Sequence, residues 1–314
     1  MKPTALVYSS HNRCEYIHNE WIVERALQSH DNKTLMYLPW SESGSGGAFG
    51  TPQQFGWGKF EWYLNRFKQY GLEADTFYYS DDMTREDAQD FFHKLATTEV
   101  VILGGGNSSL GLSRYRGVGE HFFGDKDLFQ RILNDRASRG KLTVGFSAGA
   151  DQLCAILQSQ IYSDLSDPVG FGLCHDIITT LHHDSSRDSE LAEGARKFPH
   201  CMIFGLPNDS GIAVNQDYLP SGNIWQVVDF IVDQSWDIAS EEFHIKTRQG
   251  AGIDHFYSDG RKWTFHGGDK MVRVIAPDSS WQDAWIFTAQ GQCFHYANQE
   301  QGQFSSVSEV LSHY

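Results

Sequence analysis

The chain has 314 residues, long enough to bury a large core as one big domain or two ordinary ones. Forty acidic against 25 basic residues give a formal net charge of -15, whose field repels nucleic acid and anionic membrane surfaces, so neither is expected as a partner. The five cysteines (Cys14, Cys154, Cys174, Cys201, Cys293) are scattered with no C-x-x-C pair, which indicates neither a disulfide framework nor a cysteine zinc site.

The N-terminus enters a strand at Ala5 to Tyr8 without the apolar stretch of a signal peptide, and no later run has transmembrane length, so a cytoplasmic protein with reduced thiols is expected. Glu15 to Gln28 reads as a helix and Leu35 to Leu38 as a strand. Ser41 to Gly58 is a loop in which glycines alternate with Phe49, Phe55 and Trp57. Phe60, Tyr63, Leu64 and Phe67 have helical spacing before a stopping Gly71. Thr76 to Tyr79 is strand-like, Thr84 with Asp87 forms a capping pattern for a helix through Leu95, and Val100 to Leu103 is an apolar strand. Lys126 to Arg136 is helical, Leu142 to Val144 is a strand, and Ala148 to Ser159 carries Leu153, Ile156 and Leu157 at helical spacing. This alternation implies a doubly wound, mostly parallel sheet with helices on both faces and ligands at the carboxyl ends of its strands. Beyond Asp217 the pattern changes to short aromatic and β-branched runs: Trp225 to Val232, Phe243 to Lys246, Lys262 to Phe265, Val272 to Ile275, Ala284 to Thr288 and Cys293 to Tyr296. These read as antiparallel strands. The expected division is an α/β catalytic domain over 1–216 and a β-rich C-terminal extension over 217–314.

The chemistry centres on Gly145-Phe-Ser147-Ala-Gly149, directly after the strand Leu142 to Val144. Glycines two residues before and after a serine permit the sharp strand-to-helix turn that exposes its hydroxyl, so Ser147 is the candidate nucleophile. A serine needs a base, and the base needs a group to fix its tautomer. His182 and His183 end the strand-like run Ile177 to Leu181; adjacent residues of a strand face opposite ways, so one of the two is the candidate base. Val100 to Leu103 runs into Gly104-Gly105-Gly106-Asn107, which matches no phosphate-loop pattern. It suits an oxyanion hole in which a glycine N–H acts with that of Ala148.

Taken in order, Val-Ile-Leu-Gly-Gly-Gly-Asn, Gly-Phe-Ser-Ala-Gly-Ala, Asp-Pro-x-Gly-Phe, a histidine and Gly205-Leu-Pro-Asn-Asp-Ser-Gly-Ile212 resemble the landmarks of the dipeptidase E and cyanophycinase family of serine peptidases. The resemblance spans roughly Val100 to Val214. It implies a flavodoxin-like fold related to class I glutamine amidotransferases, with Ser147 as nucleophile and Gly106 and Ala148 as oxyanion donors. It selects His183 as base, because the run His183 to Arg187 is similar to the His-Phe-x-x-Arg of cyanophycinases. Asp164 matches the aspartate of dipeptidase E and is the favoured third member, whereas Asn208, beside Asp209, stands where cyanophycinases have a glutamate.

The implied reaction is hydrolysis, through an acyl-enzyme, of a peptide or isopeptide bond after an aspartyl residue in small peptides. Arg187 is the candidate for the acidic side chain, with Arg114 and Arg116 as alternatives, and Asn107 and Asn208 are further substrate-binding candidates. The Gly-Glu-Thr-Arg segment that follows the histidine in dipeptidase E has no match here. The rival readings are another serine hydrolase, such as an esterase, and a catalytically silent binding module on the same scaffold. For an α/β-hydrolase esterase the 36 residues from Ser147 to His183 are short. The residues call for no metal or organic cofactor, and the C-terminal part is left to shape the active-site mouth or a homodimer contact.

Overall fold

The computed structural model describes residues 2–10, 16–28, 34–42, 67–232 and 251–314. The glycine-rich stretch beyond Glu42, the helix expected upstream of Phe67, Cys14 and the run Phe243 to Lys246 lie outside them.

Five strands form the parallel half of the main sheet: β1 (Ala5–Tyr8), β2 (Thr34–Leu38), β3 (Glu73–Thr76), β4 (Val100–Leu103) and β5 (Leu142–Phe146), hydrogen-bonded in the order β1-β5-β4-β2-β3. All residues of β1, β4 and β5 are buried, and their side chains alternate between two cores. Val7, Leu38, Val101 and Leu103 face one core, with Phe91, Tyr115, Phe129 and Leu153 from helices; Leu6, Tyr37, Ile102 and Val144 face the other, with Ile22 and Ala26. The helices are a π-helical segment Ile17–Val23 running into α1 (Glu24–Leu27), then α2 (Arg85–Thr97), α3 (Ser108–Phe123), α4 (Leu128–Ser138), α5 (Ala148–Leu153) and α6 (Asp188–Lys197). Thr84 caps α2 in the reciprocal arrangement its spacing with Asp87 implies. The β3 strand ends where Thr76 to Tyr79 was expected to begin, and α5 stops at Leu153 because Cys154 turns extended.

The remaining strands are β6 (Ile177–Leu181), β7 (Met202–Leu206), β8 (Ser210–Tyr218), β9 (Ile224–Val232), β10 (Ile253–Phe256), β11 (Lys262–Phe265), β12 (Lys270–Ile275), β13 (Gln282–Phe287) and β14 (Cys293–His295). β8 runs antiparallel beside β1, and β9, β12, β13 and β14 continue outward from it, also antiparallel. The expected boundary at 216/217 therefore falls inside β8, and the two parts share one sheet. A closing helix α7 (Val307–His313) places Val310 in a small core with Val272 and Phe304.

The strand that carries the two histidines belongs elsewhere. β6 pairs in parallel with β7, and β10 and β11 complete a second sheet in the order β11-β10-β7-β6. A face of this second sheet packs on the antiparallel half of the main one, where Phe204 and Phe265 meet Phe230 in the shared core.

Candidate active site

Ser147 sits between β5 and α5 with φ 51° and ψ -119°, a conformation that a non-glycine residue adopts only when its surroundings enforce it. Enforcement comes from close packing. A Cβ on Gly149 would lie 2.1 Å from the Leu103 carbonyl oxygen, so only glycine lets α5 approach β4 this closely. The Ser147 N–H donates to Tyr8 O at 3.1 Å, and Asp151 N–H returns to Ser147 O at 3.1 Å. The Ser147 side chain is half-buried in a cleft of about 520 Å³, and its Oγ makes no hydrogen bond among the described residues. Gly106, Ala148, His182 and Arg187 line the same cleft, together with Asp151, Gln158, Tyr162 and Glu190.

The histidine in the cleft is His182. Its φ of 54° breaks the alternation of β6 just past Leu181, so the two imidazoles do not simply take the two faces of a regular strand. Its N–H donates to Ser9 Oγ at 2.6 Å, next to the Tyr8 carbonyl that holds Ser147. Nδ1 lies 2.6 Å from Asn208 Oδ1, so Nδ1–H donates to the amide oxygen and Nε2 carries the lone pair. The ring is open to the cleft on one side, but the protein packed round its other sides lowers its pKa below 6.5; the Asn208 bond opposes this and the nearby Arg187 charge adds to it. Neutral imidazole is the form favoured at neutral pH.

His183 points elsewhere. Its side chain is 1% exposed, with Nδ1 3.3 Å from Thr180 Oγ1 and Nε2 3.2 Å from Asp188 Oδ1 and 3.9 Å from Asp254 Oδ2. Lys262 Nζ lies 2.9 Å from each of those two carboxylates, so the cation position among them is filled by the ammonium. A Cβ on Gly205 would lie 2.6 Å from this ring, which explains the glycine in β7. The structure thus brings His182, and not His183, to Ser147. The physical reason is the left-handed turn at His182, which spacing to Arg187 does not register.

Asp164 is exposed and makes no hydrogen bond or ion pair to either histidine among the described residues; the group behind His182 is Asn208. Gly106 has φ 128°, and a Cβ there would lie 2.2 Å from the Ser41 carbonyl oxygen, to which Asn107 N–H donates at 2.8 Å. Among the described residues no hydrogen bond uses the N–H of Gly106 or of Ala148, so both cleft-lining donors are available. Asn107 is the cap of α3, its Oδ1 accepting from Leu110 N–H at 2.9 Å, and it does not line the cleft. Arg114 is buried and donates to the carbonyls of Trp40 and Glu42, and Arg116 donates to Val169 O, so both serve loops rather than the cleft.

The family model of Peptidase family S51 matches residues 8–220. The chain belongs to that family. Every strand of the parallel half but β1 lies wholly within this S51 region, as do Ser147, His182 and Asn208, and the match ends just past β8. Peptidase E of Escherichia coli O1:K1 is 26% identical over 139 residues, 41% of this chain and 57% of the relative, and Peptidase E of Shigella boydii serotype 18 matches to the same extent. The S51 chain thus spans a little over half the length of these curated relatives. The crystal structure of a peptidase from an acI-B1 actinobacterium superposes with a TM-score of 0.56 at 12% identity, covering 86% of this chain and 96% of that one, a likeness of fold. Among the described residues no helix is long and apolar enough to cross a membrane.

In this S51 site Arg187 is the one cation among the described lining residues. Its guanidinium donates to Leu181 O and pairs with Glu190, whose other oxygen accepts from Gln158 Nε2. Asp151 is 4% exposed, and burial pushes its carboxyl up to about 6, although the Gln158 N–H bond holds it back.

Proposed function

We propose that the chain is a serine peptidase in which Ser147 is the nucleophile, His182 the base and Asn208 the group that orients it. The observation that carries this reading is a strained, unbonded serine sharing one cleft with a neutral imidazole whose Nδ1–H is tied to an amide oxygen. His182 Nε2 accepts the Ser147 proton as Oγ attacks the carbonyl carbon. The N–H groups of Gly106 and Ala148 receive the oxyanion, the protonated imidazole gives its proton to the leaving amine, and water then hydrolyses the acyl-enzyme. A neutral amide suffices as the orienting group, as the cysteine peptidases with a Cys-His-Asn arrangement illustrate.

For the substrate, we infer a small peptide cut after an acidic residue. Arg187 supports this as the cleft's cation; Glu190 already shares its charge, so a substrate carboxylate would compete for, or bridge to, the free face of the guanidinium. The test is amine release from α-aspartyl and β-aspartyl dipeptides and a β-Asp-Arg substrate, for the natural chain and for Ser147→Ala, with fluorophosphonate labelling in parallel. Cleavage and labelling that both disappear with Ser147 support the reading, and the linkage cut distinguishes dipeptidase from cyanophycinase-like activity. Labelling with hydrolysis of simple esters alone would replace it by an esterase; failure to label would leave a binding module.

A further inference from the structure

We propose that Asp176, His200 and Cys201 form a zinc-binding site at the end of β6 opposite His182, with His175 the adjacent fourth donor. The parallel pairing of β6 with β7 sets Ile177 against Met202. Just before the two strands begin, the turns carrying His175-Asp176 and His200-Cys201 meet, so residues far apart in sequence come together. One donor atom each from Asp176, His200 and Cys201 lies within 4.8 Å of the others. His175 Nε2 is 3.5 Å from Asp176 Oδ2; it is buried, and it makes no hydrogen bond among the described residues. An imidazole nitrogen removed from solvent and left without a hydrogen bond is costly unless a ligand completes it.

The surroundings hold these groups in position. His175 N–H donates to Gln216 Oε1 at 3.1 Å and Met202 N–H to Asp176 O at 2.8 Å, while Ser279 Oγ–H donates to Asp176 Oδ2 at 2.6 Å and orients the carboxylate. Asp176 is itself held at φ 48°. Zinc bonds of about 2.0–2.3 Å in a tetrahedron put donors roughly 3.3–3.7 Å apart, so the three grouped donors would close in slightly and His175, which lies outside their 4.8 Å group, would turn toward the ion. One thiolate, one carboxylate and two imidazoles select zinc over the hard cations, which take oxygen ligands. The thiolate and carboxylate neutralise the dication. The Arg273 guanidinium, a like charge nearby, donates to the Asp176 carbonyl and is shared with Gln226 and Gln282. The exposed ring of His200 gives the ion a way in. With His175 turned in, the four side chains leave no open position, so the ion would be a staple joining β6, β7 and, through Ser279, the turn between β12 and β13.

The experiment uses the full chain expressed with zinc, dialysed and assayed by elemental analysis, with cobalt substitution as a second readout. The expected result is about one zinc per chain, falling below roughly a tenth in Cys201→Ser and His200→Ala, and a thiolate-to-cobalt absorption band lost in Cys201→Ser. His200 is exposed, so His200→Ala keeps its fold by circular dichroism even if Cys201→Ser does not. Its Ser147 labelling by fluorophosphonate should be unchanged. A natural chain that retains less than a tenth of an equivalent of zinc, or variants that hold as much metal as it does, would overturn the proposal.

Discussion

Replacing the two adjacent histidines one at a time gives opposite outcomes, which makes the pair a sharp test of the site. In His182→Ala the base is gone while the cleft, the strained Ser147 and both N–H donors remain, so turnover and fluorophosphonate labelling should fall by about 10⁴-fold or more. The ring is open to the cleft, so stability should hardly change. In His183→Ala a nearly fully buried ring leaves the contact with Gly205, and Asp188 and Asp254 lose the imidazole between them. The cavity and the lost hydrogen bonds cost about 3 kcal/mol, a fall in Tm of roughly 4–5 °C for a chain of this size. Turnover per folded molecule should stay within about threefold, because the ring faces away from Ser147. Labelling kinetics and thermal unfolding on the same preparations read both effects. If His183→Ala abolished labelling and His182→Ala left it intact, the assignment of the base would be wrong, and with it the role given to the left-handed turn.

Three further outcomes follow from the same geometry. As the proposed base His182 acts when neutral, and its pKa is lowered, so activity should persist on the acid side of 6.5; Asn208→Asp puts a carboxylate beside Nδ1 and should move that acid limb upward by about 1 unit or more in a pH–rate profile. His255 is fully buried between Ile203 O and Tyr296 Oη, and burial pushes its pKa down to about 4. Its unfolded form takes up a proton near 6.5, so stability is lost as pH falls from 6.5 and the loss is complete below about 4; denaturant titrations should show about 3 kcal/mol more acid destabilisation in the natural chain than in His255→Gln. Gly106→Ala forces a methyl against the Ser41 carbonyl at a left-handed position, and labelling of Ser147 should slow by about 10–100-fold.

Much of this was legible in the sequence for local reasons. The apolar runs at Ala5, Leu35, Val100 and Leu142 form buried parallel strands because continuous burial on both faces leaves a continuous apolar signature. Ser147 announced itself through glycines that close packing demands. The long helix α3 stayed hidden because Gly111, Gly117 and Gly119 dilute its apolar face, although Asn107 caps it in the ordinary way. His183 was the expected base, and the placement of His182 in the cleft instead rests on a positive φ that, on a non-glycine residue, has no composition cue; Asn208, placed among substrate contacts, needs the fold to be seen behind His182. The second sheet depends on a register between strands more than twenty residues apart, and the meeting of Asp176 with His200-Cys201 on the turns that lead into them.

The shared sheet also bears on how the chain can be dissected. The S51 match stops at residue 220, before β9, yet β8 presents a full row of backbone donors and acceptors to β9 from Ser210 through Tyr218. A fragment trimmed to the matched region would expose that row, flanked by apolar side chains such as Ile212 and Val214, as an open edge that recruits other chains. The C-terminal strands therefore cover this edge, and trimming them should yield aggregates rather than a smaller folded protein.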